Sequence, residues 1–275
     1  MSRTPLSIQQ MRSISDMLTL QGRVAMVTGA AGGIGKATAN ALAQLKAKVA
    51  LVDIPAKEKE LKEIARTIGE KWGVECRPYF VDISEESSVE KLFDAVSAEL
   101  GPVTVLHNNA GIGIWPDNAA LPTGSWKKML DVNLTGSFFM ARCCANRMKA
   151  EGLTGSVITT ASMSSHIINA GPGYSATKAG VRHMSAAFAI EFAKDNIRFN
   201  TVSYGYILSG MHTSADGDAA LEGLYQSFEA HTPMGRMGSL DDVVGAVVFL
   251  ATDLSGFMTG SDVLVDGGFS IGRLF

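Results

Sequence analysis

Seven short runs rich in aliphatic and β-branched residues, separated by longer stretches with helical spacing, leave this chain few folds to choose from. The runs are Val24–Val27, Val49–Val52, Arg77–Val81, Val103–Leu106, Ser156–Thr159, Ile197–Val202 and Val263–Val265. Strands separated by helices are joined by crossovers, which are right-handed and lay helices on both faces of a parallel sheet. With both faces covered, each strand reads as a continuous apolar run rather than an alternating one. No repeat, low-complexity tract or linker divides the 275 residues. The expected fold is therefore α/β, a doubly wound seven-stranded parallel sheet in a single domain over residues 21–275. A polar arm, mobile or packed on a neighbouring subunit, is expected over residues 1–20.

Composition excludes several classes of function. A hydrophobic fraction of 46% with 19% charged residues describes a compact globule with a sizeable core. The formal net charge of -3 leaves no basic footprint, so nucleic acid is not an expected partner. No apolar run approaches the ~18 residues of a membrane helix. The N-terminus lacks the apolar core of a secretory signal. Cys143 and Cys144 are adjacent on a predicted helix and point to different faces, and neither they nor Cys76 sit in a Cys-x-x-Cys or His cluster. No disulfide framework and no metal site is expected, which fits a reducing cytoplasm.

The first run leads into Thr28-Gly29-Ala30-Ala31-Gly32-Gly33-Ile34-Gly35-Lys36 and then a helix through Leu45. Such a turn lets backbone N–H groups approach a pyrophosphate, whose charge the positive end of the helix favours. A glycine triplet alone is a weak signal, because many strand–helix turns need positive φ. Its place after a strand, before a helix and inside the first βαβ unit points to a dinucleotide held by Gly29, Gly32, Gly33, Ile34 and Gly35. Asp53 closes the second run, near the offset of about 20 residues expected of an acid that binds the adenosine ribose. A carboxylate there accepts both ribose hydroxyls and repels a 2′-phosphate; the plainer alternative is a turn or capping aspartate. No Arg or Lys stands in the turn ahead of Gly33, and Ile54 rather than a base follows Asp53, so NAD is expected over NADP.

Further along, Asp82-Ile83 ends the third run. Its carboxylate meets an adenine amino group or caps the helix that begins near Ser84, and the two roles are compatible. In Asn108-Asn109-Ala110-Gly111, after the fourth run, amides tie strand ends together and small residues make room for a flat adenosine. Asn133 lies inside the helical run Trp126–Met148, where an interior amide is unusual; the alternative to a site role is a core amide bonded to backbone.

Tyr174 and Lys178 stand four apart at the start of a run, Ala176–Ala193, that reads as a helix. That spacing puts both side chains on one face, roughly 6 Å apart at Cβ. A phenol with a pKa near ~10 is a poor base at neutral pH. A neighbouring ammonium or cationic ring lowers it by favouring the phenolate. A serine hydroxyl nearby, that of Ser162, can hold a carbonyl or alcohol oxygen while Tyr174 trades the proton. Alone, the pair also describes a surface helix with one Tyr and one Lys.

Taken in order, Thr28-Gly29-x-x-x-Gly33-Ile34-Gly35, Asp82, Asn108-Asn109-Ala110-Gly111, Asn133, Ser162, Tyr174-x-x-x-Lys178 and Val265-Asp266-Gly267-Gly268 resemble the short-chain dehydrogenase/reductase family. The resemblance runs from about Gln21 to the C-terminus. It implies a Rossmann-type sheet with strand order 3-2-1-4-5-6-7 and a homotetramer. It also implies hydride transfer between a nicotinamide and a secondary alcohol or ketone. Tyr174 would exchange the proton and Ser162 would bind the substrate oxygen. Lys178 would hold the nicotinamide ribose and lower the tyrosine pKa, and Asn133 would keep a water linking Lys178 to solvent. The family usually has Pro-Gly after the sixth strand, where this chain has Tyr204-Gly205-Tyr206-Ile207. Gly205 and the Ile207 backbone would still reach the carboxamide, on a loop expected to be looser for want of a fixed φ. Of Ser162, Ser164 and Ser165, Ser162 sits at the strand end where the family serine belongs.

Pocket candidates are Gly113, Ile114, Trp115, Met163, Ser164, His166, Asn169, Met211 and His212, with Ser162, Ser164, Tyr174 and Met211 expected to touch substrate. Ser, His and Asn with few bulky aromatics suit a hydroxylated substrate. Ala161–Ile167 and Thr232–Arg236 resemble the polyol and sugar dehydrogenases of the family. Alternatives are a 3-oxoacyl-thioester reductase, which usually prefers NADP against Asp53, and a hydroxysteroid or cyclic-alcohol dehydrogenase. From another class comes a non-catalytic NAD-binding module; such proteins tend to lose the Tyr or Lys that this chain keeps. The expected partner is a small-molecule alcohol or ketone in the cytoplasm, without membrane or nucleic acid.

Overall fold

A computed structural model describes residues 7–210 and 218–272. The first half runs α1 (Ile14–Leu18), β1 (Val24–Thr28), α2 (Gly33–Gln44), β2 (Lys48–Asp53), α3 (Glu58–Trp72), β3 (Cys76–Phe80), α4 (Glu86–Glu99) and β4 (Val103–Asn108). The second runs α5 (Thr123–Met129), α6 (Ser137–Ala150), β5 (Gly155–Thr160), α7 (Pro172–Phe192), β6 (Ile197–Tyr204), α8 (Asp218–His231), α9 (Leu240–Ala251) and β7 (Asp262–Val265). The strands form one seven-stranded sheet in the order β3-β2-β1-β4-β5-β6-β7. Every neighbouring pair is parallel, as expected. Pro78 costs little because β3 is an edge strand.

Alternate residues of one strand feed two cores, which is why the strands are apolar throughout. Ala25, Val27, Val49 and Leu51 pack under Leu42 of α2, Leu61 of α3 and Val243 and Leu250 of α9. On the other face Met26, Val52, Leu106 and Phe199 pack under Phe93 of α4, Met140 of α6 and Phe192 of α7. Phe192 is 1% exposed, and burial of such a side chain contributes about 1.5–3 kcal/mol. The strand order reverses between β1 and β4, and the crevice at such a switch point, beyond the carboxyl ends of the strands, is where ligands bind in open α/β sheets.

Three local features depart from the sequence pattern. The run Trp126–Met148 is not one regular helix: Leu130–Gly136 widens into π-helical turns between α5 and α6, centred on Asn133. Single π-turns inside helices occur frequently at functional sites. Second, α7 begins at Pro172, ahead of Ala176. Proline at the first helical turn lacks only an N–H that would have no helical partner, and the next two, of Gly173 and Tyr174, donate to the Asp117 carboxylate at 2.9 and 2.7 Å. Third, the described part of residues 1–20 lies on the domain. Arg12 pairs with Asp253 at 2.7 Å, and Leu20 is fully buried with its N–H on Leu45 O at 2.8 Å. Among the described residues no helix is long and apolar enough to cross a membrane.

Candidate active site

The turn after β1 is shaped by missing side chains. Gly29 has φ of +64°, and a Cβ on it would lie 3.0 Å from Ala110 Cα. One on Gly33 would lie 2.5 Å from Ser209 O, and one on Gly35 would collide with the Gly29 carbonyl. Gly32 is the N-cap of α2; among the described residues no side chain caps it and no acid stands in the first turn. The positive end of α2 therefore faces the cradle without a side-chain acceptor, which suits an anionic group. Ile34 roots this turn in the first core.

Around the cradle stand the other expected residues. Asp53 ends β2 with Oδ2 accepting from the Ala31 N–H and Oδ1 from the Ile54 N–H, both at 2.9 Å. The acid is thereby held against the glycine turn. Asp82 Oδ1 accepts from the Ser84 N–H at 3.0 Å and its hydroxyl at 2.7 Å, while Ile83 is buried against Gly136. Asn109 and Ala110 both donate backbone N–H groups to Thr28 Oγ1 at 2.9 Å, and Asn109 Nδ2 donates to Thr28 O at 3.0 Å. These bonds join the ends of β1 and β4, as expected, but of the two amides only that of Asn109 does so; Asn108 Nδ2 instead donates to Ser137 O of α6 at 2.8 Å. A Cβ on Gly111 would lie 3.4 Å from both Lys178 Nζ and Asn133 Oδ1, so this turn is where the two halves of the site meet.

The loop after β6 is firmer than the sequence implied. Tyr204 is not a loop residue lacking a proline; it is the last residue of β6, 5% exposed, its ring in the first core and its hydroxyl donating to Val243 O of α9 at 3.4 Å. Gly205 donates its N–H to Val265 O at 3.0 Å, and Ile207 is bridged to Gly238, which donates to Tyr206 O at 2.9 Å and accepts from the Leu208 N–H at 2.8 Å.

On the other side, Ser162 follows the end of β5. Its Oγ accepts from the Ser164 N–H and donates to Ser164 Oγ, both at 3.1 Å. Ser164 Oγ donates to Asn169 Oδ1 at 2.8 Å, and Asn169 Nδ2 reaches Tyr206 OH at 3.5 Å. Lys178, 4% exposed, donates from Nζ to Thr160 O at 2.8 Å, 5.7 Å from the centre of the Tyr174 ring. Asn133 Oδ1 accepts from the Ile112 N–H at 2.7 Å, and Nδ2 donates to Ile112 O at 2.8 Å and Thr177 Oγ1 at 3.2 Å. Its side chain is thus a core amide bonded to backbone, placed beside Lys178.

Burial sets the protonation of this group. It pushes the half-buried Tyr174 phenol up to about 12, opposed by Ser162, and pushes the Lys178 ammonium down to about 8. Lys178 Nζ is turned to the Thr160 carbonyl, and desolvation is the largest influence on the phenol.

The remaining pocket candidates divide. Trp115 sets its ring 6.2 Å from that of Tyr174, with Gly113 making room for it, and Ile114 is half-buried. Met163 is buried. His166 leaves the group: its Nε2 lies 2.6 Å from Asp262 Oδ2 on β7. Met211 and His212 lie outside the described residues. Burial raises all three cysteine thiols, which leaves them poor nucleophiles. Sequence reasoning passed over Asp117, Thr160 and Tyr206. Only a turn signal, Trp115-Pro116-Asp117, marked the first, because its partners lie 56 and 57 residues away.

Comparison with known proteins agrees with this geometry. A family model described as "Enoyl-(Acyl carrier protein) reductase" matches residues 29–270. A sorbose reductase of Schizosaccharomyces pombe is 36% identical over 263 residues, 93% of this chain and 99% of that protein. An NADP-dependent mannitol dehydrogenase of Alternaria alternata is 33% identical over 274 residues, 97% of this chain and 99% of that protein. The crystal structure of a gluconate 5-dehydrogenase from Burkholderia cenocepacia, in complex with NADP and tartrate, superposes with a TM-score of 0.86 at 30% identity, covering 94% of this chain and 99% of that one. The chain belongs to the short-chain dehydrogenase/reductase family, and its relatives include oxidoreductases of sugars and polyols.

Proposed function

We propose that this chain transfers a hydride between nicotinamide and a secondary alcohol or ketone of a small polyol or sugar, with NAD preferred to NADP. The observation that carries this is the junction at Gly111, where a turn whose Gly29, Gly33 and Gly35 leave no room for a Cβ adjoins Lys178 and Asn133. The fit to a dinucleotide is good, since the α2 N-terminus lacks a side-chain cap and the turn would reject one. Gly29, Gly32, Gly33, Ile34 and Gly35 would hold the pyrophosphate, Asp53 and Ile54 the adenosine ribose, Asp82 and Ile83 the adenine, and Asn109, Ala110 and Gly111 its inner edge. Gly205 and Ile207 would meet the carboxamide. When bound, the nicotinamide supplies or takes the hydride.

The chain's own groups handle the proton. A phenol pushed up to about 12 keeps its proton at neutral pH, so Tyr174 donates it to the oxygen of a ketone as that oxygen gains charge. Ser162 swings its hydroxyl from Ser164 to the same oxygen, held meanwhile by the Ser164 N–H. For alcohol oxidation Tyr174 must instead accept. Lys178, still mostly charged below about 8, favours the phenolate, and Asn133 beside it carries the relay to solvent. Ser164, Asn169 and Tyr206 continue from Ser162 as a wall of alternating donors and acceptors, suited to neighbouring hydroxyls and poorly to an acyl thioester. Asp53 supports NAD, because its carboxylate repels a 2′-phosphate and Ile54 offers no cation. A homotetramer in the cytoplasm completes the proposal.

Initial rates with a panel of sugar alcohols, ketoses, acyl thioesters and steroids, each with NAD(H) and NADP(H), test it. Turnover of polyols or ketoses, faster with NAD(H), is expected. Activity confined to thioesters or steroids rejects the substrate class, and preference for NADP rejects the role of Asp53.

A further inference from the structure

His107, on β4, is fully buried and takes no part in the chemistry above. Its Nδ1 lies 2.9 Å from Thr38 Oγ1 on α2, and its Nε2 lies 3.1 Å from Thr160 Oγ1 at the end of β5. Burial pushes the imidazole down to about 3, so the ring is neutral and one nitrogen donates while the other accepts. The far end of the chain of bonds decides which. Asn109 Nδ2 donates to Thr28 O, so its Oδ1 is an acceptor, and Thr160 Oγ1 gives that oxygen its only proton at 3.1 Å. Thr160 Oγ1 can then only accept from His107, which places the hydrogen on Nε2. Nδ1 is left an acceptor, with the Thr38 hydroxyl as donor. That hydroxyl also lies 3.0 Å from the Ile34 and Gly35 carbonyls, but these are helix carbonyls with ladder partners of their own. An unfilled Nδ1 in the interior would cost more than a lost back-bond.

Thr160 joins this chain to the reacting group, because its carbonyl holds Lys178 Nζ at 2.8 Å. We propose that His107, in the Nε2–H tautomer, is a positioning residue that ties the helix bearing the glycine turn to the strand end bearing Lys178. It sets the spacing between the pyrophosphate and nicotinamide ends of the cofactor site. This rests on Lys178 as the ribose anchor. The substrate wall at Ser164 and Asn169 lies off the chain, so substrate KM is spared.

Two measurements test it. In protein labelled with ¹⁵N-histidine, the His107 ring should show the Nε2–H pattern and should not titrate between about pH 5 and 8. An Nδ1–H pattern or a titrating ring overturns the assignment without reference to activity. His107→Leu removes both ring bonds, whereas His107→Gln restores a donor and an acceptor. The Leu variant should bind NAD about 5–50-fold more weakly at unchanged substrate KM, a range typical of lost buried hydrogen bonds. The Gln variant should recover most of that loss. Equal NAD affinity in wild type and Leu, or a deficit that Gln does not relieve, overturns the positioning role; if Leu does not fold, Gln against wild type and the tautomer decide. Wild type that binds no dinucleotide would instead overturn the proposed function.

Discussion

The two halves of the site are built on opposite plans. Around the glycine turn, shape comes from side chains that are missing: a Cβ at Gly33 or Gly35 would strike backbone. Around Tyr174, it comes from polar side chains that are buried and bonded, among them Ser162, Ser164, Asn133, Thr177 and Lys178. The first half is backbone and helix dipole, pinned at its edges by Asp53, Thr28 and Asn109. The second holds a lysine whose burial opposes its charge, and its stability is traded against function. The contrast predicts that damage to one half should leave the other's measurable property intact.

Tyr174→Phe should break only the second half. General acid–base participation is typically worth about 10²–10⁴-fold, so kcat should fall by that much while the NAD dissociation constant, from titration calorimetry, stays within about 3-fold. Gly35→Ala should break the first. The clash is with the rigid Gly29 carbonyl, and forced shifts of this kind cost about 1–3 kcal/mol, read as a lower Tm with weaker NAD binding. Asp53→Ala takes one bond, at Ala31, from the glycine turn and chiefly alters selectivity. Loss of a charged acceptor is worth roughly 1.5–3 kcal/mol, so the ratio of kcat/KM for NAD over NADP should drop about 10–150-fold.

The halves also differ in how much of them can be read from the chain. The glycine turn, Asp53 and the Asn109–Gly111 turn were legible because each is a local pattern beside a strand end, and the seven apolar runs marked those ends. Tyr174 and Lys178 were legible as an i, i+4 pair. Their surroundings were not. Asp117 caps α7 across 56 and 57 residues, and His107 meets Thr38 across 69, distances over which no periodicity speaks. The π-turn at Asn133 keeps a helical look in sequence, since one wide turn barely disturbs the apolar spacing. Tyr204 was read for the proline it replaces, whereas its ring, buried under α9, is what fixes the strand end.

The smallest predicted effect sharpens the contrast through pH. Lys178 is held at about 8 in the fold against 10.5 for the free side chain, so the folded state binds fewer protons between those values. Its burial penalty is therefore full below about 8 and is relieved as pH rises toward 10.5. Lys178→Met should be inactive yet more stable than wild type at neutral pH by about 1–2 kcal/mol in urea unfolding, part of the gain being offset by the lost bond to Thr160. The advantage should shrink on going to alkaline pH. An advantage that grows with pH has the wrong sign for a buried charge.

The most direct measurement follows the hydride itself. Wild-type protein is given a ketose and reduced NAD carrying deuterium at its transferable position, and the product is examined by mass spectrometry and NMR. The account predicts one deuterium on the new carbinol carbon of a polyol, with the hydroxyl proton drawn from solvent through Tyr174, and a rate at least about 10²-fold lower in Tyr174→Phe at saturating cofactor. Wild type that binds the reduced cofactor but places no deuterium in any ketose, or a Tyr174→Phe variant that transfers it at the wild-type rate, would contradict it.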